Sequence, residues 1–146
     1  MTTTAPLDQP LYGAGFGEAF SRAFRKYGTF SGRASRSEYW WWQLATAVVS
    51  GLLLALAITL GVITGEPSPS GGVYFGPLAG VGFALLGVWV VGTIIPHLAV
   101  LVRRLHDANL PGPMFLIGAI PGIGDLIVLI LTLLPSNPDG ARFDRA

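Results

Sequence analysis

Few side chains in this sequence could do chemistry, and most of them fall into two groups. One is Gly32-Arg33-Ala34-Ser35-Arg36-Ser37-Glu38-Tyr39-Trp40, and the other is Arg103-Arg104-Leu105-His106-Asp107. Arginines in pairs hold phosphate or carboxylate through forked, permanently charged donors, so Arg33, Arg36, Arg103 and Arg104 suit an anion. At the ends of apolar helices the same residues anchor against anionic headgroups, at about 1 kcal/mol each. His106 is the candidate general base, with Asp107 or Glu38 to orient it. Neighbouring helical residues point about 100° apart, so His106 and Asp107 form a dyad only if the helix ends there. No nucleophile or phosphate-cradling loop accompanies them, and no catalytic residue or cofactor is assigned. Arg103 and Asp107, at i,i+4, are placed to pair, and Glu38 and Asp107 can each reach an arginine of the opposite group. With no cysteine in the chain, disulfides, thiolate metal sites and cysteine nucleophiles are excluded. His97, after Pro96, and Asp125 are polar residues within apolar stretches, which makes them functional suspects. His97, His106 and Asp107 lack the spacing of a metal site.

The elements that must position these groups are apolar. From Tyr39 to Val102 the one charged residue is Glu66. A hydrocarbon core roughly 30 Å thick needs about 20 helical residues, and both Tyr39–Gly65 and Pro67–Val102 exceed that. Spans are predicted over about Trp40–Ile63 and Pro77–Val102. A third apolar stretch is broken by Pro111, Pro113 and Pro121 and contains Asp125. It reads either as one kinked span over Leu110–Leu134 or as a re-entrant hairpin turning at Ile120–Asp125. Charged residues make up 12% of the 146-residue chain, against about 25% in soluble domains. The fold class is therefore all-α: an integral membrane helical bundle with two transmembrane helices and a third broken span or hairpin, preceded by an N-terminal amphipathic helix.

Residues 1–12 read as a disordered tail, 13–38 as an amphipathic interfacial helix and linker, 39–136 as the transmembrane domain and 137–146 as a C-terminal tail. Phe16, Phe20, Phe24 and Tyr27 form an aromatic stripe at helical spacing beside Arg22, Arg25 and Lys26, suited to the headgroup layer or to packing on the spans. Ser35 and Glu38 have capping-box spacing, and the Tyr39–Trp42 rings belong at a membrane–water interface. Gly76, Gly80 and Ala84 form a small-residue ladder, read as packing within the chain. Residues 1–10 contain no basic residue, so the first span is expected to act as its own uncleaved signal.

Charge predicts orientation. Five Lys and Arg residues precede the first span, none lies in Gly65–Gly72, and Arg103 and Arg104 follow the second span. Basic residues stay on the cytoplasmic side of short loops, which puts the N-terminus inside. A full third span would put Arg142 and Arg145 outside, which is tolerated, and the reading leans that way; a hairpin would bring every positive charge inside.

The pattern Phe30-x-Gly32-Arg33-Ala34-x-Arg36-x-Glu38-Tyr39-Trp40, followed by Arg103-Arg104-Leu105-His106-Asp107 and Ile120-Pro121-x-Ile123-Gly124, resembles the bacterial inner-membrane family known as domain of unknown function 805. Similarity runs from about Phe16 to Phe143, with departures at Pro111–Phe115, where the family has a Gly-aromatic pair, and at Ala141, where it has Asn. The resemblance implies a small multi-span plasma-membrane protein and supplies no activity. The expected function is structural or accessory, with Arg33, Arg36, Glu38, Arg103, Arg104, His106 and Asp107 as a cytoplasmic face for anionic lipid, a membrane-protein partner or a second copy. A subunit of a small-solute transporter, motivated by Asp125, is the alternative, and an interface enzyme using His106 comes third. The small net charge speaks against nucleic acid.

Overall fold

The computed structural model describes residues 5–7 and 9–144. In chain order they form α1 (Phe16–Arg25), α2 (Arg36–Ile63), β1 (Glu66–Pro67), β2 (Val73–Tyr74) and α3 (Leu78–Asp107); a 3-10 helix (Gly112–Ala119), α4 (Gly124–Leu133) and a second 3-10 helix (Pro138–Phe143) follow. At 28 and 30 residues, α2 and α3 are about 42 and 45 Å long, enough for a hydrocarbon core of roughly 30 Å. Only 11% of the most apolar window of each is buried. A core helix of a water-soluble protein would be mostly covered, so these surfaces call for lipid.

Local chemistry sets the helix ends. At the start of α2 the Ser35 hydroxyl accepts from the Glu38 N–H at 3.2 Å, and the Glu38 carboxylate accepts from the Ser35 N–H at 2.9 Å. This is the capping box expected from the sequence. Past α3, Asn109 adopts φ 61°. Its N–H donates to the His106 carbonyl, and the Leu110 N–H reaches back to Leu105, both at 2.9 Å. Left-handed Asn with these two bonds is a Schellman motif, and Pro111 prevents the helix from resuming.

The third apolar stretch does not form one span. Its two arms, the 3-10 helix Gly112–Ala119 and α4, are 8 and 10 residues long, each about 15 Å and half the thickness required. They pack on each other. Pro121 and Gly122, which takes φ +84°, turn the chain between them. A Cβ on Gly124 would collide with the Ile117 carbonyl, so that position needs glycine. The expectation of a single kinked span is thereby corrected: proline and glycine turn the stretch back on itself.

The chain divides into two compact units, Leu44–Ile94 on one hand and Met1–Gln43 with Ile95–Ala146 on the other. Leu44–Ile94 holds a helix pair joined by the short β1–β2 hairpin. Its helices meet through small residues: a Cβ on Gly82 would lie 2.6 Å from that of Ala57, and one on Gly61 would lie 2.8 Å from the Phe75 ring. Trp89 Nε1 donates to Ser50 Oγ at 3.1 Å. Gly80 and Ala84 of the expected ladder face outward instead, because the seam follows Ala79 and Gly82. The other unit has a core of Ala23, Tyr39, Trp42, Val100 and Leu101, with Phe20, Phe115 and Val128 against it.

Candidate functional site

The two polar groups meet. Their backbones join where the Ala34 N–H donates to the Arg103 carbonyl at 3.0 Å, and His106 Nδ1 lies 3.1 Å from the Gly32 carbonyl. The C-terminal segment closes the junction. Gly32 N–H donates to Phe143 O at 2.9 Å, and Asn137 N–H to Asp107 O at 2.8 Å. The His106 and Phe143 rings stack 4.1 Å apart. Gly140 comes so near the His106 carbonyl that no Cβ would fit.

At the centre are Arg104 and Asp107, both fully buried. Arg104 Nη1 donates to Asp107 Oδ2 at 2.7 Å, its Nε to the Thr132 carbonyl at 2.9 Å, and its Nη2 to the Leu134 carbonyl. Asp107 also accepts from Ser136 Oγ and, at 2.9 Å, from Tyr12 Oη. An interior ion pair persists only when its remaining donors and acceptors are satisfied, and here they are. Burial raises the Tyr12 pKa, and its bond to Asp107 adds to the rise.

A second pair lies beside the first. Arg22 of α1 binds Glu38, the capping acid of α2, and donates to the carbonyls of Ala5, Pro6 and Gln9. The Glu38 carboxylate also accepts from Leu11 N–H, and Ser35 Oγ donates to Leu11 O at 2.6 Å. The segment read as a tail is therefore tied to the site through Ala5, Pro6, Gln9, Leu11 and Tyr12, since α1, the capping box and Asp107 leave donors and acceptors that it satisfies; residues 1–4 and 8 lie outside the described residues. The aromatic stripe of α1 packs on the start of α2, with Phe16 against Trp41 at 5.8 Å and Phe24 against Trp42 at 5.4 Å. Phe16 nevertheless stays 50% exposed. Both uses expected of the stripe are compatible with this placement.

Arg33 pairs with Asp144 at 2.6 Å, and that bond raises its pKa. Arg103 is 1% exposed, with Nε donating to the Ala99 carbonyl at 3.1 Å. Its Nη2 has no hydrogen-bond partner among the described residues. The expected Arg103–Asp107 pair is thus replaced by Arg104–Asp107 at i,i+3. Glu38 likewise takes Arg22 rather than an arginine of the second group, because α1 packs on the start of α2. His106 and Asp107 do not form a dyad: the ring faces Gly32 and Phe143, whereas the carboxylate is taken up by Arg104, Ser136 and Tyr12. Arg36 is exposed and donates Nε to the Leu134 carbonyl at 3.1 Å. Arg142 is exposed and reaches Asn109 O at 3.3 Å, while Arg145 lies outside the described residues. His97 and Asp125 instead line a cavity that they share with Tyr39 and Trp40.

Sequence reasoning missed Arg22, Tyr12, Thr132, Ser136 and Asp144. Of these only Arg22 carried a local signal, as a basic residue in the last turn of a short helix.

Two apolar helices of 28 and 30 residues, largely uncovered by the rest of the chain, together with a shorter apolar helix, define a helical integral membrane protein. Residues 27–145 match the family described as "Protein of unknown function (DUF805)", and the chain belongs to that family. It is 31% identical over 119 residues to the inner membrane protein YhaI of Escherichia coli strain K12, covering 82% of this chain and 86% of that one. To the inner membrane protein YhaH of the same strain it is 30% identical over 124 residues, covering 85% and 91%. No solved structure matches.

Proposed function

We propose that this protein is a structural or accessory component of the plasma membrane, with its N-terminus cytoplasmic and an arginine-bearing inner face that binds anionic lipid headgroups. The division of labour among the arginines carries this reading. Arg22, Arg33 and Arg104 are held by carboxylates, whereas Arg25, Arg36 and Arg142 are exposed and form no ion pair among the described residues. Arg36 stands one turn before the exposed Trp40 and Trp41, in the order of a headgroup anchor followed by an interfacial aromatic belt. The buried pairs serve as a frame that keeps these three cations in place.

The test is lipid retention by the full chain in detergent, read by native mass spectrometry. Phosphatidylglycerol should be retained over phosphatidylcholine, and each of R25Q, R36Q and R142Q should weaken that retention about fivefold. Unchanged retention in the triple variant would overturn the reading. Orientation is checked separately in a chain that has no native cysteine. S70C should react from outside the cell and A141C only from inside; labelling of both from one side would refute the topology.

A further inference from the structure

Beyond the arginine-rich face, the unit formed by residues 1–43 and 95–146 contains a half-open cavity of about 340 Å³. This is within the size range of small-ligand sites. Asp125, His97 and Gln43 line it together with the rings of Trp40 and Phe115, and Leu129 contributes an exposed apolar side chain. No arginine or lysine lines it. Among the described residues neither the Asp125 carboxylate nor the His97 ring has a hydrogen-bond partner, whereas Glu38, Asp107 and Asp144 are each paired with an arginine.

We infer that this cavity binds the ammonium group of an amphiphile. A carboxylate without a protein cation supplies the counter-charge, and indole and phenyl faces attract ammonium groups further. His97 and Gln43 offer hydrogen bonds to a polar headgroup, and the apolar wall receives the start of a hydrocarbon chain. Trp40 opens the apolar part of α2, where aromatic rings lie at headgroup depth. An aminophospholipid presents its ammonium at that depth, and a single-chain amine offers the same chemistry from another source. Neither uses the arginines of the inner face, so this site is independent of the function proposed above.

The experiment is native mass spectrometry of the full chain in detergent with phosphatidylethanolamine, phosphatidylcholine, phosphatidylglycerol and dodecylamine as probes. Phosphatidylethanolamine should be retained, and D125N should lower its occupancy about tenfold, the loss expected of one charge-assisted contact, while phosphatidylglycerol retention stays as it was. That retention also reports that the variant is folded. G118V fills the cavity without altering its charge and should have the same effect, because a Cβ at Gly118 meets only ordinary contacts at 3.5 Å and beyond. Displacement of the lipid by dodecylamine assigns the site to amphiphilic amines in general, whereas its failure restricts it to aminophospholipid. Equal retention of phosphatidylethanolamine by the wild type, D125N and G118V would overturn the proposal, as would loss of phosphatidylglycerol in place of phosphatidylethanolamine.

Discussion

Leu44–Ile94 and the unit built from residues 1–43 and 95–146 are held together by different physics. In the first, a helix pair closes over Gly61, Gly82, Ala57 and Ala79, and a hydrogen bond from Trp89 to Ser50 crosses between the helices. Lipid tails are as apolar as leucine, so close van der Waals approach supplies the cohesion there. In the second, ionised side chains lie inside: Arg104 and Asp107 are 0% exposed and Glu38 is 4% exposed. Small residues hold a pair of helices without selecting their surroundings. The buried ion pairs Arg104–Asp107 and Arg22–Glu38 need further partners, and they draw in α1, residues 5–7 and 9–12 and the C-terminal segment to supply them.

The comparison breaks most sharply at Asp107. D107A leaves Arg104 buried without its counter-ion and should destabilise the protein by about 3–5 kcal/mol. The readout is loss of monodisperse protein in detergent, and a variant as stable as the parent would mean that the ion pair is not interior. G82L should come next, at about 1–3 kcal/mol, by overpacking the seam against Ala57. G80L is the control: it points into open space, and its melting temperature should not move. R33Q should cost about 1 kcal/mol or less, seen as earlier proteolysis at residues 135–144 with the rest of the chain intact. S50A removes one interhelical bond and should cost about 0.6 kcal/mol.

The smallest effect concerns pH. The Tyr12 hydroxyl has a folded pKa above its ordinary 10.0, so its contribution is complete below pH 10 and is lost as pH rises through the folded value. Y12F should flatten that alkaline decline slightly, measured as the change in melting temperature as pH rises from about 9 past the ordinary tyrosine value of 10.0.

Much of this design is legible in the sequence. The α2 and α3 spans follow from length and charge depletion, and Ser35 with Glu38 announces the start of α2. The meeting of the two polar groups follows from basic residues flanking both spans. Partner choice is less legible. Arg103 and Arg104 are both within helical reach of Asp107, and the choice depends on Thr132, Leu134 and Ser136, whose positions depend on the turn at Pro121-Gly122. Arg22 finds Glu38 through packing of aromatic rings, and Arg33 finds Asp144 across 111 positions. No periodicity encodes such separations. Asn109 followed by Pro111 did carry a readable stop signal for α3.

The clasp around Asp107 also has a bearing on synthesis. The carbonyls of Thr132 and Leu134 and the hydroxyl of Ser136 come from residues that are synthesised after Arg104 and Asp107. Until those residues are made, that arginine and that aspartate lack their full set of partners and must stay hydrated. Assembly thus includes a fastening step performed by a segment made after both helices, and a tag joined close to that segment would act on the clasp rather than on the helices.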